Sequence, residues 1–193
     1  MLRISLFGGS FNPLTIGHIS IAKYLLEKDL ADQVWLFPCY ISGYGKQMEN
    51  FDDRVNMCKL ATKDEPNIYV KDVEKYINHD GMTDITLERM FDMYEGLDID
   101  FSFVIGADNA INLPKFHNWN KLNNMIKFIV IPRSGYEIDD KSWCHNKPHI
   151  YLNDYKPNII SSTIVRDDIK KNNYSKYLPK IINDYIAEKK LFK

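Results

Sequence analysis

The sequence predicts an α/β fold: a doubly wound, mostly parallel sheet with helices on both faces. Three observations carry that expectation. Short apolar runs recur near positions 4, 34, 68, 101, 126 and 150, and helix-like segments lie between most of them. The residues that break the pattern also cluster where the runs end: Gly8-Gly9, Pro38 to Lys46, Gly106-Ala107-Asp108 and Pro132-Arg133. In such a sheet a ligand binds beyond the carboxyl ends of the strands, near the switch in strand order.

Taken in order, Ile4, Leu6 and Phe7 form the first strand and end at Gly8-Gly9. Ile16 to Lys28 repeats apolar residues at helical spacing, with Ile19, Ala22, Leu25 and Leu26 on one face. Val34 to Phe37 is a short buried strand stopped by Pro38. A loop from Cys39 to Asn50 follows, carrying Tyr40, Ser42, Tyr44 and Lys46. Phe51 to Thr62 is helical, with the acidic first turn Asp52-Asp53 that a helix N-terminus favours. Ile68 to Val73 is the third strand. Thr83 starts a helix through Leu87, Met90, Phe91 and Tyr94 after a polar turn from Asn78. Phe101 to Ile105 is a strand before Gly106, and Ala107 to Leu113 a brief helix before Pro114. Ile126 to Ile131 is a strand, Gly135 to Lys147 a surface loop without period, and Ile150 to Leu152 the last strand. Ser161 to Lys171 and Tyr177 to Lys190 are terminal helices.

A chain of 193 residues buries a substantial core and is read as one domain, 1–193, with the helices from about residue 161 completing its ligand site. Its net charge of -1 gives no overall steering towards nucleic acid or anionic lipid. Cys39, Cys58 and Cys144 are too widely spaced for a disulfide framework or a metal motif, which points to a reducing cytoplasm. The opening residues lack a targeting pattern, and no apolar run is long enough to span a bilayer. His79, His117, His145 and His149 have no metal-ligand spacing.

Two stretches carry chemistry. ISLFGGSFNPLTIGH, Ile4 to His18, is a strand, a sharp glycine turn and a helix opening, so it bares backbone N–H groups beside an anion-sized space. Gly8 and Gly9 let a phosphate approach, and His18 adds an imidazole that donates a hydrogen bond or carries a proton. Taken alone, the turn also fits an ordinary βα unit. It has neither the GxGxxG of a dinucleotide site nor the GxxxxGK[ST] of a phosphate loop. The second stretch is Ile160 to Arg166, ISSTIVR. Ser161 can cap a helix whose first N–H groups seat an anion, Ser162 and Thr163 add hydroxyls, and Arg166 lies on the face of Thr163. A capped surface helix explains that stretch equally well until both are considered together.

With GGSFNPLTIGH at Gly8 to His18 and ISSTIVR at Ile160 to Arg166, the chain resembles the nicotinate/nicotinamide mononucleotide adenylyltransferases, of the HxGH nucleotidyltransferase class. MTDITL at Met82, IGADNAINLPKF from Ile105 and VIPRSG at Val130 extend the likeness over nearly the whole chain. The resemblance implies a Rossmann-like nucleotidyltransferase fold and transfer of AMP from ATP to nicotinate mononucleotide. Nicotinamide mononucleotide or phosphopantetheine is the alternative acceptor, and a silent nucleotide-binding regulatory module is the alternative of another class. His18, Arg166 and Lys46 are implied as catalytic. Gly8, Gly9, Ser10, Phe11, Thr15, Gly106, Asp108, Ser161, Ser162 and Thr163 join His18 and Arg166 as ATP ligands. Thr83, Thr86, Trp119 and Arg133, with Lys46, are implied to hold the mononucleotide, Trp119 offering its flat face to the pyridine ring. Asp108 equally suits a helix cap, Arg133 and Lys46 a solvated surface, and Trp119 ordinary packing. Thr15 stands where histidine is commonest in the family, and its hydroxyl still donates to phosphate. Magnesium is expected on the triphosphate, held by phosphate oxygens and water and by no protein-built metal site. The partners implied are ATP and nicotinate mononucleotide, with no nucleic acid and no membrane; homo-oligomer formation is left open.

Overall fold

The computed structural model describes residues 1–42, 45–77, 81–157, 159–172 and 174–193. Six strands are all parallel: β1 (Leu2–Gly9), β2 (Gln33–Pro38), β3 (Ile68–Val70), β4 (Ile99–Gly106), β5 (Lys127–Ile131) and β6 (Ile150–Tyr151). Their order is β3-β2-β1-β4-β5-β6. The chain therefore winds one way from β1 to β3 and the other way from β4 to β6. The switch falls between β1 and β4, where a crevice opens beyond the strand ends.

Alternation along the strands explains why this sheet is covered on both sides. Val34 and Leu36 point into one apolar cluster, and Trp35 and Phe37 into another. Ile129 and Ile131 are divided in the same way from Phe128 and Val130. The central pair β1–β4 also buries Ser5 and Ser102, whose hydroxyls satisfy each other at 2.8 Å.

The helices are α1 (Ile16–Glu27), α2 (Phe51–Thr62), α3 (Glu74–Ile77), α4 (Thr83–Met93), α5 (Ala107–Ala110), α6 (Trp119–Met125), α7 (Ser162–Asn172) and α8 (Lys180–Lys189). A third apolar cluster joins α2 to the last two helices through Met57, Val165, Ile169, Ile182 and Ile186. This packing holds the start of α7 against the sheet's carboxyl edge. Among the described residues no helix is long and apolar enough to cross a membrane.

Several boundaries differ from the sequence reading. The last helix starts at Lys180 and not at Tyr177, because Pro179 fixes the entry and Asn183 turns back to accept the Ser175 N–H at 3.0 Å. The α3 and α6 helices are too short to show an apolar period. The helix at Thr83 is preceded by Met82 in the cap position, with no side-chain cap. Within the loop after Gly135, a 3-10 turn at Trp143–His145 anchors by donation from Trp143 Nε1 to the Ala110 carbonyl at 3.2 Å. Tyr44, His79 and the rest of the polar turn from Asn78 to Asp80 lie outside the described residues.

Candidate active site

At the switch point β1 ends in Gly8-Gly9 and β4 in Gly106. A Cβ on Gly8 would lie 2.5 Å from Phe103 Cζ, and one on Gly106 2.5 Å from Asp108 Oδ1. A larger residue at either position would therefore have to push the Phe103 ring or the Asp108 carboxylate aside. Beyond these ends lies a cleft of about 260 Å³, walled by the β1–α1 turn, the start of α5, the end of β5, Lys46 and the start of α7.

The β1–α1 turn presents His18 to this cleft. Backbone N–H of Thr15 donates to His18 Nδ1 at 3.0 Å, and the Thr15 hydroxyl lies 2.9 Å from the same nitrogen. With Nδ1 accepting, the neutral ring carries its proton on Nε2, the nitrogen left for a ligand. Phe7 and Phe11 wedge the ring, at centroid distances of 6.0 and 5.2 Å. Burial, helped by the charges of Arg133 and Lys46, lowers the His18 pKa from 6.5 to about 4. The folded state therefore binds fewer protons, and this group's contribution to stability is lost as pH falls from about 6.5 towards 4. We expect ¹⁵N ring spectra to show the neutral Nε2–H form from pH 8 down to about 5. Titration near pH 6.5 would contradict this environment.

The second stretch arrives from the opposite end of the chain and is bonded to the first. Ser162 Oγ donates to the Pro13 carbonyl at 2.9 Å, and Arg166 Nη1 donates to the Asn12 carbonyl at 2.8 Å. Arg166 Nη2 also donates to Thr163 Oγ1 at 3.1 Å, while Ser161 Oγ accepts the Ile164 N–H at 3.2 Å and caps α7. Lys46 Nζ donates to Ser10 Oγ at 3.1 Å across the cleft mouth. Burial, then the charge of Arg166, lowers its pKa.

On the far wall, Asp108 pairs with Arg133, and Asp108 Oδ1 is buried with no hydrogen-bond partner among the described residues. Gly8, Gly9, Ser10, Phe11, Thr15, His18, Lys46, Gly106, Asp108, Arg133, Ser161, Ser162, Thr163 and Arg166 thus share one cleft. Thr15 differs from expectation in one respect: its hydroxyl is directed at the His18 ring. Arg133 likewise meets Asp108 before any phosphate.

A smaller hollow of about 170 Å³ is lined by Met82, Thr83, Asp84, Phe116 and His117, among others. His117 Nδ1 sits 3.0 Å from the buried Asp84 carboxylate, which also accepts from Asn118 Nδ2 at 3.0 Å. Thr83 lines this hollow, while Thr86 and Trp119 are placed elsewhere. The Thr86 hydroxyl turns inward to the Met82 carbonyl, 3.1 Å away, as helix-interior threonines do. Trp119 lines neither hollow. It packs edge-on to Trp143 at 4.9 Å and against Phe128 at 6.4 Å, and Phe116 supplies the aromatic wall instead.

Sequence reasoning also missed Asn12, whose carbonyl receives Arg166, and Arg54, whose guanidinium reaches the Ser10 carbonyl at 2.7 Å. Arg54 sits between Phe51 and Val55 on the apolar face of α2. A charge on a buried face was the available signal.

The two turns close on one cleft beyond a parallel sheet, and the cytidylyltransferase-like family model matches residues 6–168, which places the chain among the nucleotidyltransferases. The Bacillus licheniformis protein named "probable nicotinate-nucleotide adenylyltransferase" is 33% identical over 196 residues, spanning 100% of this chain and 99% of its own. The Fusobacterium nucleatum protein of the same name is 34% identical over 173 residues, 88% of each chain. Plasmodium falciparum nicotinic acid mononucleotide adenylyltransferase, solved with NaAD, shares the fold at a TM-score of 0.80 and 23% identity, over 100% of this chain and 98% of that one. This chain belongs to the nicotinate-nucleotide adenylyltransferase family.

Proposed function

We propose that the larger cleft binds ATP and that the chain transfers its AMP moiety to nicotinate mononucleotide, giving nicotinate adenine dinucleotide and pyrophosphate. The observation that carries this is the joining of the two turns: His18 and Arg166, 148 positions apart in sequence, line one cleft and are tied together through Asn12 and Pro13.

The acceptor's phosphate oxygen attacks the α-phosphorus of ATP in line. The bond from that phosphorus to the bridging oxygen breaks, and the electron pair leaves with pyrophosphate. A phosphate is already ionised near neutrality, so no general base and no covalent enzyme intermediate are needed. The protein's task is positioning and charge stabilisation. His18 donates from Nε2 to a phosphate oxygen at the reacting centre and stays neutral throughout. Arg166, Lys46 and the first N–H groups of α7 hold the β- and γ-phosphates and stabilise charge on the departing pyrophosphate. Asp108 accepts from the ribose of ATP, the unpartnered Oδ1 being the available acceptor.

The acceptor's pyridine ring is assigned to the smaller hollow, against Phe116. There Thr83, at the start of α4, lines the hollow and brings a hydroxyl suited to the ring's carboxylate. Magnesium enters with ATP, as part of the substrate. Its charge would offset that of the triphosphate, whose oxygens together with water suit it as ligands. The unpaired cysteines suit a reducing compartment, and we place the reaction in the cytoplasm.

Pyrophosphate release should be measured with ATP and each of three acceptors: nicotinate mononucleotide, nicotinamide mononucleotide and phosphopantetheine. The expected result is the highest kcat/KM with the first. A preference for phosphopantetheine would overturn the acceptor assignment, and ATP binding without release for any acceptor would favour a regulatory nucleotide-binding module.

A further inference from the structure

Arg54 takes no part in the chemistry above, yet it is 1% exposed and sits behind the cleft. Among the described residues, four of its hydrogen bonds go to backbone carbonyls. Nη1 donates to Ser10 at 2.7 Å, Nη2 to Cys39 at 2.9 Å and Tyr40 at 3.3 Å, and Nε to Glu49 at 2.9 Å. These carbonyls belong to the β1–α1 turn and to both ends of the 39–50 loop. Lys46 lies between those two ends and reaches Ser10 from the other side, at 3.1 Å. A further bond, from the Glu49 N–H to Asn12 Oδ1 at 3.0 Å, closes the ring of contacts.

Burying a guanidinium is costly, and a need for stability alone is often met as well by an apolar side chain of similar volume. What an apolar residue cannot do is direct five rigid, coplanar donors at three separate segments. Lysine has three donors on one point charge and cannot span them either. We propose that Arg54 is a positioning residue: it locks both ends of the Lys46 loop to the β1–α1 turn, so that Lys46 and the turn's N–H groups are fixed before the triphosphate arrives. This rests on the reading that the cleft binds ATP with Lys46 on its phosphates. It adds a distinct claim, that Arg54 acts on catalysis through Lys46.

The test is a double-mutant cycle on kcat/KM for ATP at saturating acceptor, using Arg54→Lys, Lys46→Ala and the double variant, with a melting curve for each. Arg54→Lys is expected to cost about tenfold or more in the native background and less than about threefold once Lys46 is gone. An equal cost in both backgrounds would overturn the proposal and leave Arg54 a structural residue. Lys46→Ala alone reads the underlying assignment: full activity there would remove Lys46 from the phosphates, and the positioning claim would fall with it. Should Arg54→Lys fail to fold, Arg54→Gln, which keeps two donors without the charge, enters the same cycle with the same two outcomes.

Discussion

His18→Ala is expected to lower kcat about 10²- to 10³-fold while changing KM for ATP by less than about threefold. The asymmetry follows from where the ring's proton sits. Nδ1 is occupied by the Thr15 N–H at 3.0 Å, so the only donor is Nε2. A single preorganised donor in a partly dry site matters most where phosphate charge is changing, and contributes little to holding ground-state ATP. The same nitrogen bond caps α1, so alanine also costs stability, about 1 kcal/mol. His18→Gln separates the two effects. Glutamine at this position restores the reciprocal cap but not an imidazole at the same reach. Its melting temperature should recover while kcat stays low. Recovery of both would mean that His18 matters only as a cap, and equal losses in kcat and ATP affinity would remove its transition-state role. Steady-state kinetics with melting curves decide between these results.

The second large effect is expected at Arg166. Arg166→Ala should lower kcat/KM for ATP about 10²-fold and weaken inhibition by pyrophosphate in parallel. The guanidinium already spends one donor on the Asn12 carbonyl at 2.8 Å and one on Thr163 Oγ1 at 3.1 Å, which fixes its plane beside the cleft. On the proposed reaction, its remaining donors are left to meet the leaving group in both directions. His18→Ala should leave pyrophosphate inhibition nearly unchanged by comparison. Arg166→Lys keeps the charge but not the fork, so it should recover only part of the loss. An unchanged inhibition constant for pyrophosphate in Arg166→Ala would show that this residue holds the turn and does not touch the phosphates.

Most of the fold was legible because β1, β2, β4 and β5 are apolar runs stopped by glycine or proline, and because α2 starts behind Asn50, whose Oδ1 accepts the Asp52 N–H at 2.8 Å. The two stretches that meet at the cleft were legible for a related reason: taken together, glycine, serine, histidine and arginine at strand ends and helix starts point to one site more readily than to two separate turns. What was not legible depends on side-chain direction set by tertiary contacts. Trp119 and Phe116 are three positions apart, and between them Asn118 takes a left-handed backbone, φ 49°. That turn sends Trp119 into the aromatic packing around Phe128 and leaves Phe116 on the hollow. The Thr15 hydroxyl looked like a phosphate donor until the ring of His18 was placed beside it. Arg54 makes its shortest bond to Ser10, 44 residues away, a distance over which no local pattern speaks.

The central claim is that two turns from opposite ends of the chain hold one triphosphate. A crystal structure with a non-hydrolysable ATP analogue tests it most directly. The account predicts a phosphate oxygen at about 2.7–3.2 Å from His18 Nε2 and β- or γ-phosphate oxygens at similar distances from the Arg166 guanidinium in the same complex. A triphosphate touching only one of these two residues, or seated in the smaller hollow beside Phe116, would contradict it.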